Sequence, residues 1–172
     1  LAESKYNERF SETREALKRL QTKLPITALA ELSNEEFDAN VDLINDPTLI
    51  KRARHAVYEN NRTKIAQKAF VSGDLTKFGD LLNASHASLK DDYEVTGIEL
   101  DTLAESAQKQ PGTLGARMTG AGFGGCAIAL VAHDRVAAFE KTVGDIYEKT
   151  IGYPASFYVA QIGSGATKLD VN

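Results

Sequence analysis

The sequence predicts an α+β domain with helices packed on one side of a small, mainly antiparallel sheet. Before residue 113, apolar residues recur at spacings of three and four between helix caps and breakers. After it, short apolar runs of strand length alternate with glycines and one further helical pattern. Helices followed by strands argue for α+β rather than for an alternating parallel sheet. With 172 residues, 42% of them apolar and 26% charged, the chain is long and apolar enough to bury a core and is not of disordered composition.

Tyr6, Phe10, Thr13, Leu17, Leu20 and Leu24 alternate at spacings of four and three, which predicts a core-facing helix capped by Ser4 and ended by Pro25. Ser33 and Glu36 form the Ser-x-x-Glu pattern of a capping box and open a short helix through position 41. Asp46 then supplies an N-cap, and Pro47 a first-turn residue whose missing N–H does no harm there. The helix they start reaches toward Gly73. It carries Leu49, Ile50, Ala53, Ala56 and Val57, then Asn60 and Asn61, then Ile65, Ala69 and Phe70. Asp74 starts another helix with Leu75, Phe78, Leu82, His86 and Leu89 on one face, so His86 reads first as a hydrogen-bonded core residue and only second as a catalytic one. Asp91-Asp92-Tyr93-Glu94 makes an acidic turn. Paired aspartates suggest a cation, but no D-x-D-x-D-G loop is present, and helix-end caps are expected instead. Thr96 and Glu99 form a second capping box, opening a helix through Leu100, Leu103, Ala104 and Ala107 that Pro111-Gly112 breaks.

Strands are predicted at 114–119 and 126–132, a helix at 135–150, a strand at 156–162 after Pro154, and a weaker one at 168–171. Between the first two strands lie Gly120, Gly122, Gly124 and Gly125, a turn bare enough to approach a ligand or another loop closely. The segment fits G-x-G-x-x-G, yet a dinucleotide fingerprint needs a helix after the glycines and an acidic residue at the end of a second strand. Here an apolar strand follows, and Glu140 lies inside the pattern of Val136, Phe139, Val143, Ile146 and Tyr147. The arrangement is strand, glycine loop, strand. It serves either as an anion cradle or as a bare hairpin turn.

A net charge of −4 gives no general attraction to nucleic acid or anionic membrane, and the Lys51-Arg52-Ala53-Arg54-His55 cluster is expected to be a solvated helix face. Cys126 is the single cysteine, so no internal disulfide or cysteine-based zinc site can form. As the first residue of an apolar strand it is expected to be buried, and it is compatible with a reducing cytoplasm. No apolar run reaches the about 18 residues of a membrane span. The start at Leu1, without signal-peptide character, is expected to reflect a processed, cloned or truncated product.

Residues Gly115-Ala116-Arg117-Met118-Thr119-Gly120-Ala121-Gly122-Phe123-Gly124-Gly125-Cys126 resemble the third conserved motif of the GHMP small-molecule kinase superfamily, in the form carried by its galactose kinases. Lys51-Arg52-Ala53-Arg54-His55-Ala56-Val57-Tyr58-Glu59-Asn60 and the 83–96 stretch resemble two further segments of those kinases. Ser4-Lys5-Tyr6-Asn7-Glu8-Arg9 resembles the segment whose tyrosine contacts the sugar. The likeness runs over nearly all of 1–172 and implies the superfamily's C-terminal domain, of ferredoxin-like type. A phosphate loop of the form P-x-G-x-G-L-G-S-S-A, an aspartate base with a nearby arginine and an N-terminal sugar-recognition segment are not among these residues. The N-terminal catalytic half is therefore expected to be absent.

What the resemblance implies is ATP-dependent phosphorylation of galactose to galactose 1-phosphate in cytoplasmic galactose metabolism, with Mg²⁺ neutralising phosphate charge. Galactose and ATP would be handled together with the missing half. No catalytic residue or metal ligand is expected here, and neither ATP nor Mg²⁺ is expected to bind these residues tightly on their own. Tyr6 would contact the sugar, and Thr119, Gly120, Ala121, Gly122, Phe123, Gly124 and Gly125 would shape the phosphate pocket. Arg117 would either direct charge toward the site or be consumed in an internal ion pair, while His86, Asp91 and Asp92 would brace the loop from behind. An apolar surface is expected where the other half belongs, exposed or used in self-association. The alternatives are a stand-alone metabolite-binding or regulatory α+β module and a non-enzymatic sugar sensor.

Overall fold

A computed structural model describes residues 2–160, 163 and 165, with side chains from residue 5 onward. Its elements run α1 (Ala2–Leu20), α2 (Asn34–Asn40), α3 (Pro47–Val71), α4 (Leu75–Asp91), α5 (Ile98–Gln108), β1 (Thr113–Thr119), β2 (Cys126–Val131) and α6 (Val136–Ile151). Several starts are set by the residues that predict them. Ser33 Oγ accepts from Glu36 N–H at 3.1 Å while Glu36 reaches back to Ser33 N–H at 2.8 Å, closing the capping box. Asp46 Oδ1 accepts from the N–H groups of Thr48 and Leu49, with Pro47 as the first helical residue. Asp74 caps α4 through Lys77 N–H.

Buried side chains gather in three clusters. Leu17, Leu20, Leu29, Phe37, Ile44, Leu49, Ala53 and Val57 join α1, α2 and α3. Asn60 and Asn61, polar interruptions in the α3 pattern, hold the 28–34 connection by donating to the carbonyls of Ala30 and Leu32. A second cluster of Leu89, Val95, Leu100 and Met118, with Tyr93 and Phe123 packed on it, lies under the glycine loop. The third joins Ala107 and Ala116 to Phe139 and Val143 of α6.

β1 and β2 pair antiparallel, from Thr119 opposite Cys126 back to Thr113 opposite Val131, with a bulge between Thr113 and Gly115. α5 and α6 cover the face that carries Ala116 and Val131. α4 runs along the outer edge of β1 instead. Asn83 Oδ1 and His86 Nδ1, one helical turn apart, accept from the N–H groups of Ala116 (2.9 Å) and Met118 (3.2 Å), so this helix satisfies edge donors that a third strand would otherwise take. The approach is close because Gly79 and Gly115 face each other: a Cβ on either would lie far inside van der Waals contact with the backbone of the opposite element.

The sequence reading is corrected at several points. Ser4 lies inside α1, which begins at Ala2. Tyr6 (61% exposed) and Phe10 (59%) face out, and Arg9 faces in at 5%, because it has backbone carbonyls to bind there. Of the supposed solvated cluster, Arg52 and His55 are buried. The Thr96 box does not form; the N-cap is Gly97, at φ 83°, and makes no side-chain cap bond. Residues 156–160 join no ladder, as Phe157 packs edge-on against Phe139 and Tyr158 stands 90% exposed. A strand-like sequence becomes a strand only where a neighbouring edge meets its N–H and C=O groups. The rest of that stretch and the strand at 168–171 lie outside the described residues. Cys126 is exposed, since β2 turns its first residue away from α5.

Candidate functional site

The loop after β1 adopts left-handed φ at Gly120, Gly122, Phe123, Gly124 and Gly125. Four of these five are glycine, which tolerates such φ without a Cβ penalty. Their surroundings separate them into two kinds. A Cβ at Gly120, Gly124 or Gly125 would meet nothing within 4 Å, so the loop's outer rim is open. At Gly122 it would collide with the Val95 carbonyl, the same oxygen that accepts from Phe123 N–H at 2.7 Å. Among the described residues this is the loop's one backbone anchor; the N–H groups of Ala121, Gly124 and Gly125 have no such bond. Phe123 packs its ring into the cluster of Leu89, Val95 and Met118.

The acidic turn supports the loop through its backbone rather than its aspartates. Asp91 is an exposed helix end. Asp92 takes Ser88 Oγ–H at 3.0 Å and caps α4 by its own N–H. Two buried guanidinium groups grip the carbonyls that follow. Arg52 donates to Asp92 O at 2.5 Å, Glu94 Oε2 at 2.9 Å and Glu12 Oε2 at 2.9 Å. Arg9 donates to Tyr93 O at 2.6 Å, Glu94 O at 3.4 Å and Glu12 Oε2 at 2.8 Å. Arg52 holds the Glu94 carboxyl below the usual carboxylate range. Glu94 itself sits at φ 54°, an uncommon backbone state for a residue with a Cβ.

His86 lies along the outer edge of β1. Its Nδ1 accepts from Met118 N–H, so the ring proton lies on Nε2, 3.4 Å from Asp101 Oδ1. Burial pushes its pKa down although Asp101 opposes this, which keeps the ring neutral as the bond from Met118 requires. Arg117 turns inward: its Nε donates to Met118 O at 2.9 Å and its Nη1 lies 3.9 Å from Glu59 Oε2, beside Arg62 and Ser85. Desolvation lowers its pKa. The ion-pair expectation fits this placement better than one of charge aimed at the loop. Tyr6 is exposed on the first turns of α1, three residues before Arg9, which binds the carbonyls of Tyr93 and Glu94.

His55, Ser88 and Asp92 form a line that looks like a nucleophilic triad and is not one. Ser88 spends its proton on Asp92, so His55 Nδ1 donates to Ser88 Oγ at 3.0 Å, and the serine sits in the middle as a relay. The imidazole stacks on Tyr93 with ring centroids 4.4 Å apart. Burial, aided by Arg62, Arg117 and Arg52, lowers its pKa to about 4. The unfolded chain takes up that proton near the ordinary value of about 6.5, so the stabilisation is full above that pH and is lost as pH falls toward 4. Urea unfolding is expected to show stability dropping by on the order of 3 kcal/mol across this window, and His55→Asn to remove most of the slope. An unchanged slope in the variant would contradict the assignment.

Sequence reasoning missed Arg9, Glu12, Arg52, Asn83 and Val95. Two signals were available: Arg52 falls on the buried stripe of Leu49, Ala53 and Val57, and Asn83 precedes His86 by one helical turn.

Residues 66–148 match the family model for the C-terminal domain of GHMP kinases, a stretch that contains α4, α5, both strands and the loop. Over 171 residues the chain is 85% identical to a galactokinase of Lactococcus lactis subsp. cremoris (strain MG1363), which covers 99% of this chain and 43% of that protein. The galactokinase of Lactiplantibacillus plantarum is 64% identical over 98% of this chain and 44% of its own length. The crystal structure of Lactococcus lactis galactokinase complexed with galactose superposes with a TM-score of 0.92 at 84% identity, over 96% of this chain and 43% of that one. The chain spans less than half the length of the curated relatives it matches. With helices on a small antiparallel sheet, a strand, glycine loop and strand within the matched stretch, and these matches around it, residues 66–148 carry the C-terminal domain of GHMP kinases and the chain is similar to galactokinases over almost all of its length.

Proposed function

We propose that residues 1–172 form the C-terminal half of a galactokinase, which phosphorylates galactose with ATP to give galactose 1-phosphate in the cytoplasm. The observation that carries this reading is 85% identity to a galactokinase along almost the whole chain, on a fold whose glycine loop has an open rim. Among the described residues, no helix is long and apolar enough to cross a membrane.

The loop suits a phosphate chain. At Gly120, Gly124 and Gly125 no side chain rises, Phe123 is turned into the core, and the N–H groups of Ala121, Gly124 and Gly125 have no backbone partner among the described residues. Backbone amides in such a bare turn offer donors to anionic oxygens at close range. Thr119 to Gly125 thus act as one wall of the site, and ATP supplies the phosphoryl group. Among the described residues no three His, Cys, Asp or Glu side chains gather to hold a metal ion. Tyr6, whose ring is exposed on α1, would meet the sugar; His86 accepts from the β1 backbone, and Arg117 lies 3.9 Å from Glu59. Exposed Phe10, Ile128, Tyr158 and Val159 supply apolar surface for the N-terminal half.

In a coupled assay for ADP with galactose and ATP, residues 1–172 alone are expected to show no turnover. Galactose-dependent ADP release by this chain alone would contradict the division of labour.

A further inference from the structure

We propose that Arg9 and Arg52 are positioning residues that set the height of the glycine loop through the 92–95 backbone, and so tie the tyrosine-bearing helix α1 to the phosphate wall. The inference rests on the reading of the loop as part of a nucleotide site.

The arrangement exceeds what joining two helices requires. Glu12 Oε2 alone accepts from Arg9 Nη1 and Arg52 Nε, and that bridge already fastens α1 to α3. Beyond that bridge Arg9 also donates to the adjacent Glu8 carboxylate at 3.2 Å, and the two side chains together reach the carbonyls of Asp92, Tyr93 and Glu94 and the Glu94 carboxylate. Three consecutive carbonyls are thereby fixed by two guanidiniums whose side chains are 6% and 4% exposed. A planar guanidinium with five donors in fixed directions specifies where each oxygen lies, which a lysine ammonium does not.

The fixed segment leads directly to the loop. Glu94 is held at φ 54°, and the next carbonyl, Val95 O, anchors Phe123, itself at φ 59°. Two side-chain-bearing residues in the left-handed region thus flank a single hydrogen bond. Such states persist where the surroundings over-determine them: the N–H groups of Tyr93 and Val95 bond the carbonyls of Ser88 and Leu89, and the arginines fix the carbonyls of the same turn. At the other end Arg9 lies one helical turn from Tyr6, so a shift of α1 moves the guanidinium that holds Tyr93 and Glu94. A displacement on the sugar side then reaches the loop through side-chain hydrogen bonds rather than through the sheet.

The test uses Arg9→Lys and Arg52→Lys in a full-length kinase carrying this chain as its C-terminal half. Each keeps the charge and loses the fork. Amide exchange across 119–126 is expected to speed up by about tenfold or more in both, while exchange in α6 stays as in the wild type. In Arg52→Lys the KM for ATP is expected to rise about fivefold, with KM for galactose within about twofold. Glu94→Asn serves as a second variant should the lysine variants fail to fold, because asparagine tolerates the left-handed backbone; about a threefold rise in loop exchange is expected there. Wild-type loop exchange in the variants that fold would overturn the proposal. Faster loop exchange with an unmoved KM for ATP would uphold the mechanical link and overturn the reading of the loop as a nucleotide wall.

Discussion

Gly122→Val is expected to cut kcat/KM for ATP of the full-length kinase by about 100-fold while the isolated chain stays folded. Two independent obstacles meet at this position. Its φ of 82° is one that a β-branched residue adopts only under strain, at a cost of about 1–3 kcal/mol. Its Cβ would also strike the Val95 carbonyl, which holds Phe123 N–H. The loop must lift off the 92–95 segment to relieve both. Because its other glycines border open space and only Phe123 enters a core cluster, the lifting should cost the fold little, a fall in Tm of about 2–4 °C. Gly124→Ala is the matched control. It carries the strain of φ 108° but meets no neighbour, and its activity should stay within about tenfold of wild type. Wild-type turnover in Gly122→Val would remove the loop from the site.

Gly115→Val should do the opposite and destabilise the fold itself. Gly115 and Gly79 lie at the crossing of β1 and α4, and neither has the left-handed φ that favours glycine, so the effect is one of space alone. A side chain at either forces helix from strand and breaks the bonds by which Asn83 and His86 hold the edge of β1. Overpacking against backbone, which cannot rotate away, is expected to cost about 3 kcal/mol or more, or about 6–12 °C in Tm. Thermal unfolding of residues 1–172 measures it directly. A Tm within about 2 °C of wild type would mean that α4 is not seated on β1 as described.

The contrast between these two glycines marks what the sequence made legible. Local chemistry was readable: Asp46-Pro47 and the Ser33 box begin helices where they stand, and an apolar strand after the glycines ruled out a dinucleotide fold. Residues whose role depends on a distant partner were not. Arg52 looks like a member of a solvated basic run until the carbonyl of Asp92, 40 residues away, is known to be waiting for it. Phe10 belongs to a regular stripe, yet the stripe continues past the end of the core, and the buried side chain there is Arg9. Phe157 lies in a strand-like run that pairs with nothing among its described residues and packs its ring edge-on against Phe139 instead. Gly79 and Gly115 are each unremarkable in sequence; only their meeting gives them consequence. For the site, the loop and its family were legible, and the Arg9 and Arg52 grip that supports it was not, since it is built from contacts between α1, α3 and a turn after α4.

Residues 1–172 are proposed to be the C-terminal half of a galactokinase whose glycine loop walls the phosphate site. A chimera in which residues 1–172 replace the matching part of the Lactococcus galactokinase tests it most directly, read by galactose-dependent ADP release. Turnover is expected within about tenfold of the parent enzyme, lowered by about 100-fold on Gly122→Val. A folded chimera without galactose-dependent turnover, or one indifferent to Gly122→Val, would contradict it.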